Sequence, residues 1–423
     1  MAIEKIRRMV DWGGDSCFLI GPRGAGKTEW VRERHPEALR IDLEDAATHR
    51  ELAARPEGLA EWVGRLVAGR TVVIEDVQRL PELLGVAEGL IGKEPGRSFV
   101  LTASNERVPR RRVPALWRRF EETGRVRRVH PFLAADLGGS FDLATALRRG
   151  LVPGVLTSED PDAALLDNWG AFLREDLQGA GLVRKIGDFV RFLEAMVFVH
   201  GEVLNLSEVA RECGAKRKTV EGFVGLLEDF LLGFRVTVFG EDGGQRALAR
   251  HPKFYFSDAG AFRSLRGEME DGGESMPAEA EAAALEGLVA QHLRSWCDAA
   301  GGGRRLHCWR TRTGIEVDFV VESPDGLHAF DVRNRLVLRP KDFRALAAFG
   351  TDYPESRRIL LHRGTERSEK DGVLCLPVAE FLKELRPDLP LPGGNEESGE
   401  PAKPKEHGVR NLLRLGQALL RGR

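Results

Sequence analysis

Cys17-Phe18-Leu19-Ile20-Gly21-Pro22-Arg23-Gly24-Ala25-Gly26-Lys27-Thr28 decides the fold of the N-terminal part. A short apolar run ends in a glycine-rich loop, and a polar, amphipathic stretch follows from Lys27. The octet Gly21 to Thr28 fits G-x-x-x-x-G-K-[ST] in the context that this spacing requires, an apolar strand before it and a helical segment after it. Glycines let such a loop wrap with its N–H groups pointing inward at phosphates, and the following helix N-terminus adds a favourable dipole. The expected ligand of Gly21, Pro22, Arg23, Gly24, Ala25, Gly26, Lys27 and Thr28 is therefore ATP with Mg²⁺. Lys27 is expected to reach the β- and γ-phosphates and Thr28 to bind the metal.

Working outward, apolar runs recur at Thr71 to Ile74 and Ser98 to Leu101. Short continuous apolar strands separated by helices read as a buried parallel sheet in an α/β layer. The run ending at Ile74 is followed by Glu75-Asp76, the carboxylates expected to serve metal and attacking water. NTPases of this type usually end that strand in Asp then Glu. Here the order is inverted, so each charge sits about one methylene from its usual place. Because misplacement by ~1 Å can cost ~10²-fold in rate, ATP binding is expected to tolerate the inversion better than hydrolysis. After Ser98 to Leu101 come Ser104 and Asn105, candidates to sense the γ-phosphate from between the two motifs.

The 423 residues carry 63 Lys+Arg against 65 Asp+Glu, so contact with nucleic acid or acidic lipid must be made by a local patch. One such patch runs from Asn105 to Arg128, where nine arginines face three glutamates. It reads as a source of an arginine finger for a neighbour's site, as a contact to nucleic-acid phosphate, or as a solvated basic face. Five scattered cysteines, none in a CxxC pair, fit neither a disulfide scaffold nor a zinc module and favour a reducing, cytoplasmic setting. No signal peptide or run of bilayer-spanning length is evident.

Further along, 137–187 reads as a helical linker region. Asp188 to His200 is a helix candidate, Ser207 suits an N-cap and Gly214 a helix stop. Lys216-Arg217-Lys218 then opens a helix with Val220, Phe223, Val224 and Leu227 on one face. Two helices joined by a short turn form a helix-turn-helix, with Phe234 to Phe239 as a wing. Lys216, Arg217 and Lys218 sit where a reading helix would touch DNA phosphate, although such modules also pack against other domains. Residues 267–284, acidic and poor in large apolar side chains, read as a linker. Strands at Leu306 to Arg310, Ile315 to Val321, Leu327 to Val332 and Arg358 to Leu361, with helices near Lys341 and Ala379, complete a second α/β unit. Residues 387–423 read as a disordered linker ending in a basic amphipathic tail.

The chain resembles the bacterial and archaeal AAA-superfamily ATPases that carry a fused C-terminal domain of unknown function. The likeness rests on the phosphate loop, on Glu75 to Leu83, Leu101 to Ser104 and His130-Pro131-Phe132, and on Asn205 to Ala210, Lys253 to Asp258 and Glu316 to Val321. It implies an α/β fold: a P-loop core with an AAA-type parallel sheet (1–136), the helical linker region (137–187), a winged helix (188–266), a linker (267–284) and a restriction-endonuclease-like domain of the PD-(D/E)xK kind (285–386). In that last domain Glu286, Asp318 and Asp331 stand where such nucleases hold Mg²⁺, with Arg333 in place of the usual lysine. Arginine keeps its proton and is a poor substitute. Cleavage, an inert metal site and a fold remnant are all compatible with these residues. The expected function is ATP binding with slow hydrolysis, coupled to DNA through the winged helix, to a protein partner or to further copies of the chain. The alternatives are a non-hydrolysing regulator and an ATP-gated nuclease.

Overall fold

A computed structural model describes residues 6–10, 13–67, 69–94, 96–240, 251–267, 277–299 and 303–393. The chain divides into two units, Met1–Pro392 and Gly393–Arg423. The first is mixed α/β with two sheets. The basic amphipathic tail lies outside the described residues.

The N-terminal sheet contains β1 (Cys17–Ile20), β2 (Leu39–Asp42), β3 (Val72–Glu75), β4 (Phe99–Ala103) and β5 (Val126–Arg128). All five are parallel, in the order β2-β3-β4-β1-β5. Every residue of β1, β3 and β4 is buried, which is why these strands read as unbroken apolar runs rather than alternating ones. Placing β4 between β1 and β3 sets its C-terminal end between the glycine-rich loop and Glu75-Asp76.

The second sheet contains β6 (Gly233–Val238), β7 (Lys253–Phe256), β8 (Arg305–Arg310), β9 (Glu316–Ser323), β10 (Gly326–Arg333), β11 (Arg357–His362), β12 (Ser368–Lys370) and β13 (Val373–Pro377). Its order is β12-β13-β11-β10-β9-β8-β6-β7. The β9–β10 hairpin forms as expected, with Ser323 opposite Gly326.

The strand expected as a wing, β6, pairs antiparallel with β7 and, through Thr237 and Val238 at its end, parallel with β8, so the hairpin that follows the two helices also extends the C-terminal sheet, and the boundary between 188–266 and 285–386 crosses one continuous sheet. Three expectations are corrected. The linker at 267–284 is helical from Ala278, the start of a helix running to Ala299. Its Ala280 and Ala284 are fully buried; alanine is the strongest helix former, and its small side chain lets a helix pack closely without bulky residues. The N-cap of helix Leu206–Glu212 is Asn205, whose Oδ1 accepts from the N–H groups of Ser207 (3.1 Å) and Glu208 (3.3 Å). Residues 387–392 pack on the body: Leu391 is buried, and the Leu389 carbonyl accepts from Trp296 Nε1 at 3.0 Å.

The segment after β5 joins the two sheets. His130 Nε2 lies 2.8 Å from Asp298, the Phe132 carbonyl accepts from Gln291 Nε2 (3.3 Å), and Ala134 N–H donates to His292 Nε2 (2.9 Å). Gln291, His292 and Asp298 all lie on helix Ala278–Ala299. Burial disfavours the His130 cation and lowers its pKa against the pull of Asp298, so a neutral imidazole donates to that carboxylate.

Candidate functional site

β1 delivers the chain into the loop at Gly21, whose N–H bonds the Ala103 carbonyl of β4 at 3.1 Å. A Cβ at Gly21 would stand 2.6 Å from the Val129 carbonyl oxygen, so only glycine fits. Gly26 has φ +83° and caps helix Lys27–Arg34 in the left-handed region. The Lys27 ammonium is buried beneath the loop and donates to the carbonyls of Gly21 (2.7 Å) and Pro22 (3.1 Å). Burial lowers its pKa, with Asp76 the foremost opposing charge. Arg8 ties the loop from the cavity wall, donating to the carbonyls of Ala25 (2.5 Å) and His130 (2.9 Å).

Thr28 Oγ1 donates to Glu75 Oε2 at 2.8 Å. Glu75 is buried, and its other oxygen accepts from Arg40 Nε of β2 at 2.9 Å. Asp76 follows in the left-handed region at φ 55°, a conformation that aspartate tolerates better than most residues. Its N–H donates to Thr102 Oγ1, and its carboxylate accepts from Gln78 Nε2, both at 3.0 Å. Gln78 Oε1 in turn accepts from the Ser104 N–H at 3.3 Å.

These groups surround a cavity of about 830 Å³ lined by Gly24, Gly26, Lys27, Thr28, Asp76 and Ser104, with the segment 6–10 along one wall. Ser104 Oγ is buried here without a hydrogen-bond partner, and a buried polar atom of this kind calls for a ligand or water. Asn105 does not join it. Its Oδ1 accepts from Val108 N–H at 3.0 Å in a turn, and it lines the neighbouring groove. Of the two sensor candidates, Ser104 alone faces the cavity.

Arg23 reaches from the loop to the edge of the cavity. It pairs with Asp176 (2.8 Å) and Glu175 (2.9 Å) on the π-helical segment Phe172–Gly179. The loop is further tied by Gly154 N–H to the Gly24 carbonyl at 3.0 Å. Arg8, Arg40, Glu175 and Asp176 were not singled out by sequence, because nothing local marks residues that meet the loop only through the fold. Gln78 carried a signal, its place within Glu75 to Leu83.

The carboxylates of the second sheet come together, but around protein cations. Glu286 Oε1 accepts from Lys253 Nζ (2.8 Å) and from Tyr255 OH (2.7 Å), and Lys253 also binds Glu316 (2.6 Å). Asp318 accepts from Val332 N–H (2.8 Å) and Arg333 Nη1 (3.3 Å), while Asp331 accepts from Arg333 Nη2 (2.8 Å). Burial, reinforced by Glu286 and Asp331, holds the Asp318 carboxyl well above the usual range; burial also raises Asp331 to about 6. Among the described residues no group of three or more His, Cys, Asp or Glu is disposed to hold a metal. At Glu286, Asp318 and Asp331, the residues expected to hold a metal, Lys253 and Arg333 provide positive charge.

The basic cluster divides. Arg107 (3.0 Å) and Arg110 pair with Asp229, and Arg128 pairs with Glu106 (2.6 Å) and Glu121 (2.8 Å). Arg111, Arg112, Arg118 and Arg119 are exposed. Lys216, Arg217 and Lys218 are also exposed at the start of helix Arg217–Asp229. Among the described residues no helix is long and apolar enough to cross a membrane.

The fold and this geometry define a mixed α/β protein with a glycine-rich loop opening into a polar cavity. Two families match parts of it, each described as a domain of unknown function: DUF8612 over residues 140–271 and DUF4143 over residues 281–381. No curated protein matches. Among solved structures, that of protein VC1899 from Vibrio cholerae is 12% identical and covers 76% of this chain and 90% of that one, with a TM-score of 0.17, too low to inform the fold.

Proposed function

We propose that this chain is an ATPase of the AAA-superfamily type, whose helix-turn-helix module and restriction-endonuclease-like second half carry its output to DNA or a protein partner. The observation that carries the reading is the 2.8 Å bond between Thr28 of the loop and Glu75 at the end of β3, with Lys27 beneath the same loop. The residues suit Mg·ATP. Thr28 and Glu75 would hold the metal, which supplies charge neutralisation between the phosphates. Lys27 exchanges its two backbone carbonyls for phosphate oxygens. Ser104 donates its unpartnered hydroxyl to the terminal phosphate. Asp76, facing the cavity and held by Gln78, orients the attacking water and accepts its proton.

One observation favours a slow or non-hydrolysing regulator instead. Glu75 already has its charge matched by Arg40, so less of it is available to a metal. The filled carboxylate cluster argues against an ATP-gated nuclease. Phosphate release by the intact protein, with and without duplex DNA, separates these readings. The ATPase reading expects turnover that Lys27→Ala abolishes. Turnover unchanged by Lys27→Ala would refute it, and nucleotide binding without turnover would favour the regulator.

A further inference from the structure

Beside the nucleotide cavity lies a groove of about 530 Å³ that shares two residues with it, Arg23 and Gln78. Its walls carry five arginines, Arg23, Arg79, Arg107, Arg111 and Arg112, together with His49, against two carboxylates, Glu175 and Asp176. The two carboxylates are committed to Arg23, and Arg107 is committed to Asp229. Arg79 pairs with Glu44 at 2.7 Å. Among the described residues Arg112 has only a long contact to Glu82, 3.9 Å between two exposed side chains, a pair of negligible worth in water. Arg111 is exposed, with no partner among the described residues. The groove thus has a fixed rim of paired arginines and two uncommitted guanidinium groups on one short helix, Arg107–Arg112.

We propose that this groove binds the phosphate backbone of a nucleic acid. Planar guanidinium groups match phosphate oxygens bidentately. The lining contains no Phe, Tyr or Trp and offers His49 as its one aromatic ring, so the contact is chiefly to backbone and largely independent of sequence. The ligand is a polyanion rather than a single phosphate, because the next helix, Pro114–Glu122, adds exposed Arg118 and Arg119, and of the two glutamates at its end Glu121 is taken up by Arg128. Gln78 links the groove to the reaction: it holds Asp76 at 3.0 Å and the Ser104 N–H at 3.3 Å. A strand seated in the groove lies against the residue that positions both, which gives nucleic acid a direct route to regulate turnover. That regulatory consequence rests on the ATPase reading; the binding itself does not.

The test is fluorescence anisotropy of a labelled mixed-sequence duplex DNA and of an RNA of the same sequence, titrated with the intact chain in the absence of nucleotide. Arg111→Ala/Arg112→Ala, at two exposed positions, is expected to weaken binding at least ~10-fold and to flatten the slope of log K against log salt by ~1.4 to 1.8, that is ~0.7 to 0.9 per lost phosphate contact. The titration contains no nucleotide, so failure of the nucleotide reading leaves this test intact. Circular dichroism of the double variant checks its fold, and the single Arg111→Ala variant, with a smaller loss of the same sign, replaces it if it misfolds. Binding by the variant within ~2-fold of the parent, or no binding by the parent, overturns the proposal. So does a change of oligomeric mass in the variant, which would mean that a second copy of the chain occupies the groove.

Discussion

Shortening Glu75 by one methylene tests how the loop and the acid are joined. Aspartate would withdraw the carboxylate by about 1.5 Å, one C–C bond. The Thr28–Glu75 contact of 2.8 Å would then open to about 4 Å, well beyond hydrogen-bond reach. The Arg40 side chain is 29% exposed and can follow the retreating charge, so that pair is weakened rather than broken. A lost hydrogen bond to a charged group costs about 1.5 to 3 kcal/mol. Thr28 opens on a cavity that admits water, so the lower end applies, about 1.5 kcal/mol. Urea denaturation of Glu75→Asp should show a loss of that size. The affinity for a fluorescent ATP analogue with Mg²⁺ should fall by about tenfold, because the hydroxyl assigned to the metal is no longer oriented. The double exchange Glu75→Asp with Asp76→Glu restores the usual order of acids but leaves the same gap to Thr28, so it should not recover affinity. Unchanged stability and unchanged affinity in Glu75→Asp would refute the claim that this bond holds the loop to β3.

Three further outcomes are expected. Asp298 is held below the usual carboxylate range: burial opposes its charge, but Arg294 and the bond from His130 outweigh it, and burial lowers His130 as well. Both shifts contribute stability that is present above the unfolded pKa values and lost as pH falls through the folded ones. Unfolding free energy should therefore decline below about pH 6.5; in Asp298→Asn the histidine part of that decline should remain, because burial lowers His130 and Asp298 only opposes the shift, whereas the further decline in the carboxylate range below about pH 4 should be lost, and equal pH profiles would exclude the pair. Lys253→Met should cost about 3 kcal/mol by leaving Glu286 without its cation, while Glu316 keeps Arg310 at 3.4 Å, and the parent should leave DNA uncut with Mg²⁺ or Mn²⁺; robust cleavage lost in Asp318→Ala would overturn the assignment of Lys253 and Arg333. Truncation after Pro387 should lower the melting temperature, since Leu391 alone buries about 1.5 to 3 kcal/mol of apolar side chain; an unchanged melting temperature would contradict the packing of 387–392 on the body.

The parallel sheet and its loop were legible because their signals are local. β1, β3 and β4 are short apolar runs, and the eight loop residues are contiguous. What stayed hidden depends on distant pairing. The fate of β6 is set by His307 and Cys308 of β8, 70 residues beyond Thr237, and no pattern within β6 announces a partner so remote. Lys253 reads as an ordinary strand residue until the fold brings Glu286 and Glu316 to it. Ser104 and Asn105 are chemically alike as sensors in sequence; they part because the Asn105 carboxamide is used by its own turn. The alanine-rich start of helix Ala278–Ala299 was hidden because a packing face made of alanine lacks the large apolar residues by which such faces are usually read.

Equilibrium titration of the intact chain and of Lys27→Ala with a fluorescent ATP analogue and Mg²⁺ bears most directly on the central claim. The parent should bind saturably at one site and the variant should not, since the substitution removes the buried ammonium beneath the loop. Absence of saturable binding by the parent, or equal affinity in the variant, would contradict the assignment of Gly21 to Thr28 as a nucleotide site.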